Sequence, residues 1–370
     1  MRRLSLLAFL AALSLTSVAL LSFGVVRQGP PAAAFTPPAL APDEPPTHFD
    51  PAMLSPAPGM RFGIDANSID RFQQQAGPPD YATIWVGKWN IDHGWKDTGA
   101  ALQKIQAQGV TPAIHFYYWG DDMGRACLWN GCNGKDRAGW DFLAQDLVWH
   151  LDADLKGGPA LVILESEFNK RGVETDEGLD ELLSEKASYI RANYPAAKVV
   201  LGLGNWYPQG WGTWDRAAAS SDYVGLQALA GSTHDSTDEV LALAGKTLEG
   251  VQRLRELFGK PVIVQDVAVS SYPEPDNLET QGVAIANLAE QLPRLKEAGV
   301  EAVLYRTFLD SPTMALHNHY AEAERHWGLA WHDTGELKPA GQAWMAAVQK
   351  ARQPEAAPAD VPEVAVMQAG

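Results

Sequence analysis

The chain of 370 residues sets 29 Lys and Arg against 45 Asp and Glu, a formal net charge of −16, and its 46% hydrophobic content is enough for a large core. That acidic balance excludes nucleic acid as a partner, because displacing the counterions of a polyphosphate takes clustered Lys and Arg, and no basic stripe with interleaved aromatics is present. With 33 Gly and 13 Trp the composition also excludes a collagen, a coiled coil, a multi-span membrane protein and a wholly disordered chain.

Arg2 and Arg3 precede an uncharged apolar run from Leu4 to Val26, closed by Arg27. Its 23 residues are long for a signal-peptide core and long enough to cross a bilayer as a helix. Residues 1–26 therefore read either as a cleaved signal or as a retained anchor, with Ala32-Ala33-Ala34 available as a small-residue cleavage site. Both readings export the remainder, and a membrane is met only through residues 4–26 if they are kept. Residues 27–60 hold 10 of the 25 prolines and read as an extended tether, and the Pro/Ala/Glu-rich end, 353–370, reads as a disordered tail. Residues 61–352 remain as the folded body, expected to be a monomer. The two cysteines, in Cys127-Leu-Trp-Asn-Gly-Cys132, read as a small loop disulfide of an exported protein, since a metal would ask for more thiolates or nearby His.

In the folded body short β-branched apolar runs alternate with longer amphipathic ones. Strands are expected at Arg61–Asp65, Ala82–Gly87, Thr111–Tyr117, Ala160–Leu164, Val199–Leu203, Tyr223–Gln227, Pro261–Asp266 and Ala302–Arg306. Helical patterns fall at Gly99–Gln108, Trp140–Leu155, Glu177–Asn193, Ser236–Phe258, Gly282–Ala298 and Pro339–Ala351. Near-continuous apolar strands between amphipathic helices imply a parallel sheet covered by helices, and eight such units make an α/β fold of the (β/α)8 TIM-barrel type. The competing fold, an open doubly wound sheet, would carry a glycine-rich turn after its first strand, and Gly63-Ile-Asp65-Ala-Asn67 is not one. Gly202-Leu-Gly204 and Gly245-Lys-Thr247 lack the further glycines of a nucleotide loop, so no nucleotide cofactor is expected.

A barrel puts its chemistry at the carboxyl ends of its strands, whatever that chemistry is. Those ends carry Asp65 after the first strand and Trp89 after the second. Trp119 and Asp121 follow the third, and Glu165, Glu167 and Asn169 the fourth. Asn205 and Trp206 follow the fifth, then come Gln227, Asp266 and Arg306 at the ends of the sixth, seventh and eighth. Trp89, Trp119, Trp206 and Trp211 are expected at an open cleft, where aromatic faces suit the C–H faces of sugar rings while carboxylates and amides take the hydroxyls. Glycoside hydrolysis needs two carboxyl groups across the scissile bond, one giving a proton to the leaving oxygen and the other attacking the anomeric carbon or activating water. Glu167 and Asp266, on strands four and seven, lie across the mouth and are the expected catalytic pair. Asp65, Asp121 and Glu165 are expected as supporting or substrate-hydroxyl groups. Strand alternation would point Glu165 and Glu167 the same way.

The layout resembles the clan of retaining (β/α)8 glycoside hydrolases with acid/base and nucleophile on strands four and seven, nearest to glycoside hydrolase family 26, with family 113 also close. The resemblance is carried by Arg61-Phe-Gly-Ile64, by Glu167-Phe168-Asn169 in place of a Glu-Met-Asn motif, and by Asp222-Tyr-Val-Gly-Leu226. It continues in Lys260-Pro-Val-Ile-Val-Gln-Asp266, and in His326-Trp-Gly-Leu329 through Lys338-Pro339-Ala340. It implies an exported glycosidase acting on a carbohydrate such as a β-mannan, a β-glucan or an exopolysaccharide, with Glu167 as acid/base and Asp266 as nucleophile. The chain departs from the family in two places. Asp266 stands for the usual Glu, which at a fixed backbone widens the carboxylate gap by roughly 1–1.5 Å, and Ile163 and Ser166 stand where Arg and His usually precede the strand-four Glu.

Two alternatives bear on function. A metal reading would rest on His317-Asn-His319 with Glu322 and His326, but no His-Glu-x-x-His pattern accompanies them and no metal is expected; a Gly-x-Ser-x-Gly elbow for serine hydrolysis is also absent. The stronger alternative is a non-catalytic carbohydrate-binding barrel at the cell surface, since fold does not fix function.

Overall fold

The computed structural model describes residues 57, 59–118, 137–169, 177–206, 208–232, 234–314 and 321–353. The apolar segment 4–26, most of the tether, Trp119, Asp121, Cys127, Cys132, His317, His319 and nearly all of the tail lie outside these residues. Among the described residues no helix is long and apolar enough to cross a membrane.

Eight parallel strands close on themselves in chain order: β1 (Arg61–Asp65), β2 (Tyr81–Gly87), β3 (Thr111–Tyr117), β4 (Ala160–Leu164), β5 (Ala197–Leu203), β6 (Tyr223–Ala230), β7 (Val262–Val269) and β8 (Val300–Tyr305). The ring is sealed by β8 against β1, with Arg61 opposite Ala302 and Gly63 opposite Leu304. Around it lie α1 (Ile69–Ala76), α2 (Lys88–His93), α3 (Lys96–Ala107), α4 (Arg137–Leu155), α5 (Glu177–Asn193), α6 (Asp215–Ser220), α7 (Thr237–Leu241), α8 (Leu243–Phe258), α9 (Leu278–Glu290), α10 (Leu292–Glu297) and α11 (Pro339–Ala351).

The strands are apolar on both faces because both faces are covered. Leu161, Ile163, Val200, Ile263 and Leu304 fill the barrel interior, while Val162, Leu164, Val199 and Leu201 meet the helices. Last and first elements lock together through Trp344 of α11, whose ring stands edge-on to Phe62 of β1 at 5.9 Å and tilted against Tyr305 of β8 at 5.6 Å. The body also reaches into the stretch read as tether: Ala57 and Met60 are buried core residues, joined by a Met60 N–H to Ala57 carbonyl bond of 3.1 Å.

Two expected helices are each divided. Ser236 caps the short α7, trading hydrogen bonds with Glu239, before α8 begins at Leu243. Pro293 sits in the first turn of α10, where its missing N–H has no helical partner to lose. The helix α1, absent from the expected set, buries Ile69, Phe72 and Ala76 at helical spacing.

Strands β6 and β7 run three residues further than expected, to Ala230 and Val269, with Gln227 paired to Asp266 and Ala230 to Val269. Gln227 and Asp266 thus sit inside a tall strand pair instead of at its tip. Its upper part is small and apolar, and Leu229 and Ala268 are buried there together with Trp327. The register of β7 also slips: Leu226 pairs with Val264 and Gln227 with Asp266, leaving Gln265 extra. Against β8 the same slip falls between Val264 and Val267. Such a bulge breaks strict alternation, so Gln265 donates to the Leu203 carbonyl at 3.2 Å while the next residue, Asp266, meets Gln227 and Arg306.

Candidate active site

Asp266 is 1% exposed, and all of its described side-chain partners are site residues. Its Oδ2 is ion-paired with Arg306 Nη1 and accepts a hydrogen bond from Gln227 Nε2 at 3.3 Å. Burial raises the Asp266 carboxyl above the ordinary aspartate value; Arg306 opposes that rise and the charge of Glu167 adds to it. Arg306 follows β8, and its backbone N–H donates to the Val267 carbonyl at 2.9 Å, which fixes it beside the β7 bulge. Its guanidinium lies between two indoles, 4.9 Å from the Trp85 ring centre and 4.6 Å from that of Trp327. Burial disfavours this cation, but Asp266 and Glu167 outweigh it and hold the guanidinium above its ordinary value. Arg306, expected to bind substrate, therefore spends itself on Asp266.

Glu167 comes from the other side of the mouth and is partly exposed. Strand β4 stops at Leu164, and Glu165 and Glu167 both take left-handed backbone, with φ of 47° and 60°. For residues with a Cβ this conformation is costly and tends to mark functional turns. Alternation accordingly does not govern the pair. Glu165 is fully buried and accepts the Tyr118 N–H at 3.1 Å, whereas Glu167 acts electrostatically on both Asp266 and Arg306. The turn nests against β5 because residue 202 is glycine: a Cβ there would stand 2.9 Å from Ser166 Cα and 3.0 Å from the Leu164 oxygen.

The other expected residues divide by what they touch. Trp89 is 54% exposed on α2 and stacks on His93, as suits an open rim. Asp65 is engaged by the Phe308 N–H at 2.9 Å, Ser68 Oγ at 3.0 Å and the Asn67 N–H at 3.2 Å, and so ties β1 to the segment after β8. Asn169 clamps the turn after β5: it donates to the carbonyls of Gly204 and Trp206, and accepts the Gly204 N–H at 2.6 Å. Trp206 is half-buried, its ring packed where a Cβ on Gly204 would lie. Trp211, expected at the cleft, is buried at 2% exposure with its indole N–H on the Trp206 carbonyl. Asn205 lies beside it on the flank of the barrel.

Two residues passed over as site members belong there. His115 of β3 is buried, stacks on Trp85 at 4.2 Å and meets Ser166 Oγ through Nδ1 at 2.7 Å. Burial, and then the charge of Arg306, lower its pKa to about 3, so the imidazole is neutral in ordinary buffers. Trp85 is 38% exposed and connects His115 to Arg306. Its signal was a tryptophan in mid-strand directly across from a histidine.

Among the described residues, Glu274, Asp310 and His326 stand close enough to share a cation. An ammonium already does so: Lys338 Nζ, wholly buried, lies 2.6 Å from Asp310 Oδ2 and 3.0 Å from Glu274 Oε1, over the Trp331 ring. The cluster does not fit a metal centre.

No family model and no curated protein matches the chain. Solved structures do. An exo-β-1,4-mannosidase from Opitutaceae bacterium strain TAV5 superposes with a TM-score of 0.61 at 14% identity, over 78% of this chain and 59% of that one. The chain thus spans less than two thirds of that enzyme's length. A GH26 β-mannanase from Bacteroides ovatus is similar at a TM-score of 0.57 and 10% identity, over 80% and 90% of the two chains. An endo-β-1,4-mannanase from Thermotoga petrophila gives 0.56 and 12%, over 79% and 77%. At such identities the likeness is one of fold: this chain has the (β/α)8 barrel that these glycoside hydrolases share.

Proposed function

We propose that the protein is a glycoside hydrolase that cleaves O-glycosidic bonds of a poly- or oligosaccharide, exported by way of its apolar amino-terminal segment. The observation that carries this reading is that Glu167 after β4 and Asp266 of β7 meet at one guanidinium, that of Arg306, with the charge of Glu167 also felt at Asp266. Glu167, the more exposed of the two, donates its proton to the leaving oxygen. Asp266, pinned by Arg306 and Gln227, presents a carboxylate whose raised proton affinity suits attack on the anomeric carbon or deprotonation of water. Trp85 and Trp89 supply exposed aromatic surface on the β2 side for the pyranose faces. The mannoside-acting enzymes of the same fold put β-mannan first among substrates to try.

One observation favours a second reading. Asp266 is closed in by Arg306 and almost unexposed, as expected of a barrel that holds a glycan without cutting it. The deciding experiment measures reducing ends released by the full chain from β-mannan, β-glucan, xylan and bacterial exopolysaccharides, beside Glu167→Gln and Asp266→Asn. The hydrolase reading expects release that falls on the order of 10²-fold or more in both variants. Retention of glycan with no release selects the binding barrel. Release that survives both substitutions places the chemistry elsewhere.

A further inference from the structure

Strand alternation turns His115 of β3 towards the barrel axis, one layer above Ala113 of the interior, while Ile114 and Phe116 on the other face meet the helices. Where an apolar residue would only fill the space, the imidazole makes two directed contacts. Its Nδ1 shares a hydrogen bond of 2.7 Å with Ser166 Oγ, and its ring lies 4.2 Å from that of Trp85 with 11° between their planes. The two contacts lead to the two halves of the site. Ser166 stands between Glu165 and Glu167, both left-handed, and Trp85 is one wall of the Arg306 guanidinium that pins Asp266.

Left-handed residues persist only where their surroundings fix them from several sides. Backbone groups fix Glu165: its N–H donates to the Phe116 carbonyl at 2.7 Å, its carboxylate accepts the Tyr118 N–H at 3.1 Å, and its carbonyl accepts the Phe168 N–H at 3.0 Å. Ser166 is wholly buried, and the described hydrogen bond of its side chain runs to His115, one residue short of Glu167. We propose that His115 is a positioning residue, which holds the turn bearing Glu167 through Ser166 and the Asp266–Arg306 pair through Trp85, in register with each other. Burial and the nearby Arg306 keep the imidazole neutral, so it braces both halves without adding a charge between them. Its bearing on catalysis rests on the reading of Glu167 and Asp266 as the reacting pair; the register it fixes does not.

The test compares His115→Phe, which keeps a flat ring against Trp85 and gives up the bond to Ser166, with Ser166→Ala and with the double variant, all in the full chain. Two quantities are read: kcat and KM on the glycan that the natural protein cleaves, and the titration of Asp266 by carbon NMR of isotope-labelled aspartate carboxyls, assigned with Asp266→Asn. In each single variant kcat should fall by about 10- to 100-fold, the order that a misplacement of about 1 Å costs. KM should stay nearly unchanged, because Trp85 and Trp89 still meet the sugar. The double variant should lose no more than either single one, since both remove the same bond. Asp266 should titrate lower in each, because withdrawal of Glu167 takes away a charge that holds its carboxyl up. Should His115→Phe fail to fold, Ser166→Ala carries both readouts. An Asp266 that titrates as in the natural protein overturns the proposal, and so do additive losses of kcat. If the natural protein releases no sugar, the hydrolase reading falls and the Asp266 titration alone decides this one: a lower value upholds the brace, and an unmoved value overturns it.

Discussion

Asp266 and Arg306 are each expensive without the other: one is a carboxylate at 1% exposure, the other a guanidinium enclosed by Trp85 and Trp327. Removing one partner of a buried pair typically costs about 3–5 kcal/mol, because the survivor is left charged and desolvated. Arg306→Met should therefore lower stability by that order at neutral pH. The sign with pH follows from Asp266, whose folded carboxyl is already raised and rises further without Arg306. A group raised on folding contributes its stability fully below its unfolded value and loses it as pH climbs through the folded one. The deficit of Arg306→Met is thus greatest at neutral pH and shrinks as the pH falls through the raised folded value towards the ordinary aspartate value of about 3.9. Urea unfolding of both proteins at the two pH values checks this, and an equal deficit at both would assign the loss to packing between the indoles. Single residues were also where sequence reading had least reach. Acids at strand ends are legible, so Glu167 and Asp266 stand out in a linear chain. What each one touches is not: Asp65 and Asn169 look like sugar ligands in sequence, and in the structure they also hold backbone groups of the segments after β8 and β5.

At the scale of elements the chain is easier to read. Apolar runs of strand length recur eight times with amphipathic runs of helix length among them, and β1, β3, β4, α5 and α11 have the bounds their hydrophobic patterns predict. Patterns of burial do not register a bulge or a left-handed turn, since neither changes which residues are apolar, and those two irregularities aim the catalytic candidates. The β7 bulge turns Asp266 into the site, and the turn after β4 separates buried Glu165 from Glu167. That turn depends on Gly202, because the atoms a Cβ would strike are backbone and cannot swing away. Gly202→Ala should cost about 1–3 kcal/mol by overpacking and, by shifting residues 164–166, should reduce kcat on whichever glycan is cleaved. Thermal unfolding together with turnover tests this. A variant with wild-type stability and turnover would show that β4 and its turn yield without moving Glu167.

Across the whole molecule, closure of the ring depends on contacts between the beginning and end of the chain that no local pattern contains. Trp344 packs on Phe62, and Arg352 donates to the Ala76 carbonyl. On the site face the corresponding closure is the buried ammonium of Lys338, which enters just before α11 and binds Asp310 after β8 together with Ser271 and Glu274 after β7. One side chain thus ties the loops of two strands to the last helix, and it fills the space a cation would need among Glu274, Asp310 and His326. Lys338→Met keeps the length of the side chain and removes the charge, leaving two carboxylates in a partly buried site with a neutral neighbour. Its cost should be about 3–5 kcal/mol, well above that of an exposed ion pair. A chelator should leave the Tm of the natural protein unchanged. The cavity-forming Lys338→Ala, in contrast, should gain a zinc-dependent rise in Tm, since the three ligand groups then face an open space and metal binding to the folded form stabilises it. Differential scanning calorimetry with and without zinc decides the matter: a natural protein whose Tm falls on chelation would mean that a metal, and not the lysine, joins these loops.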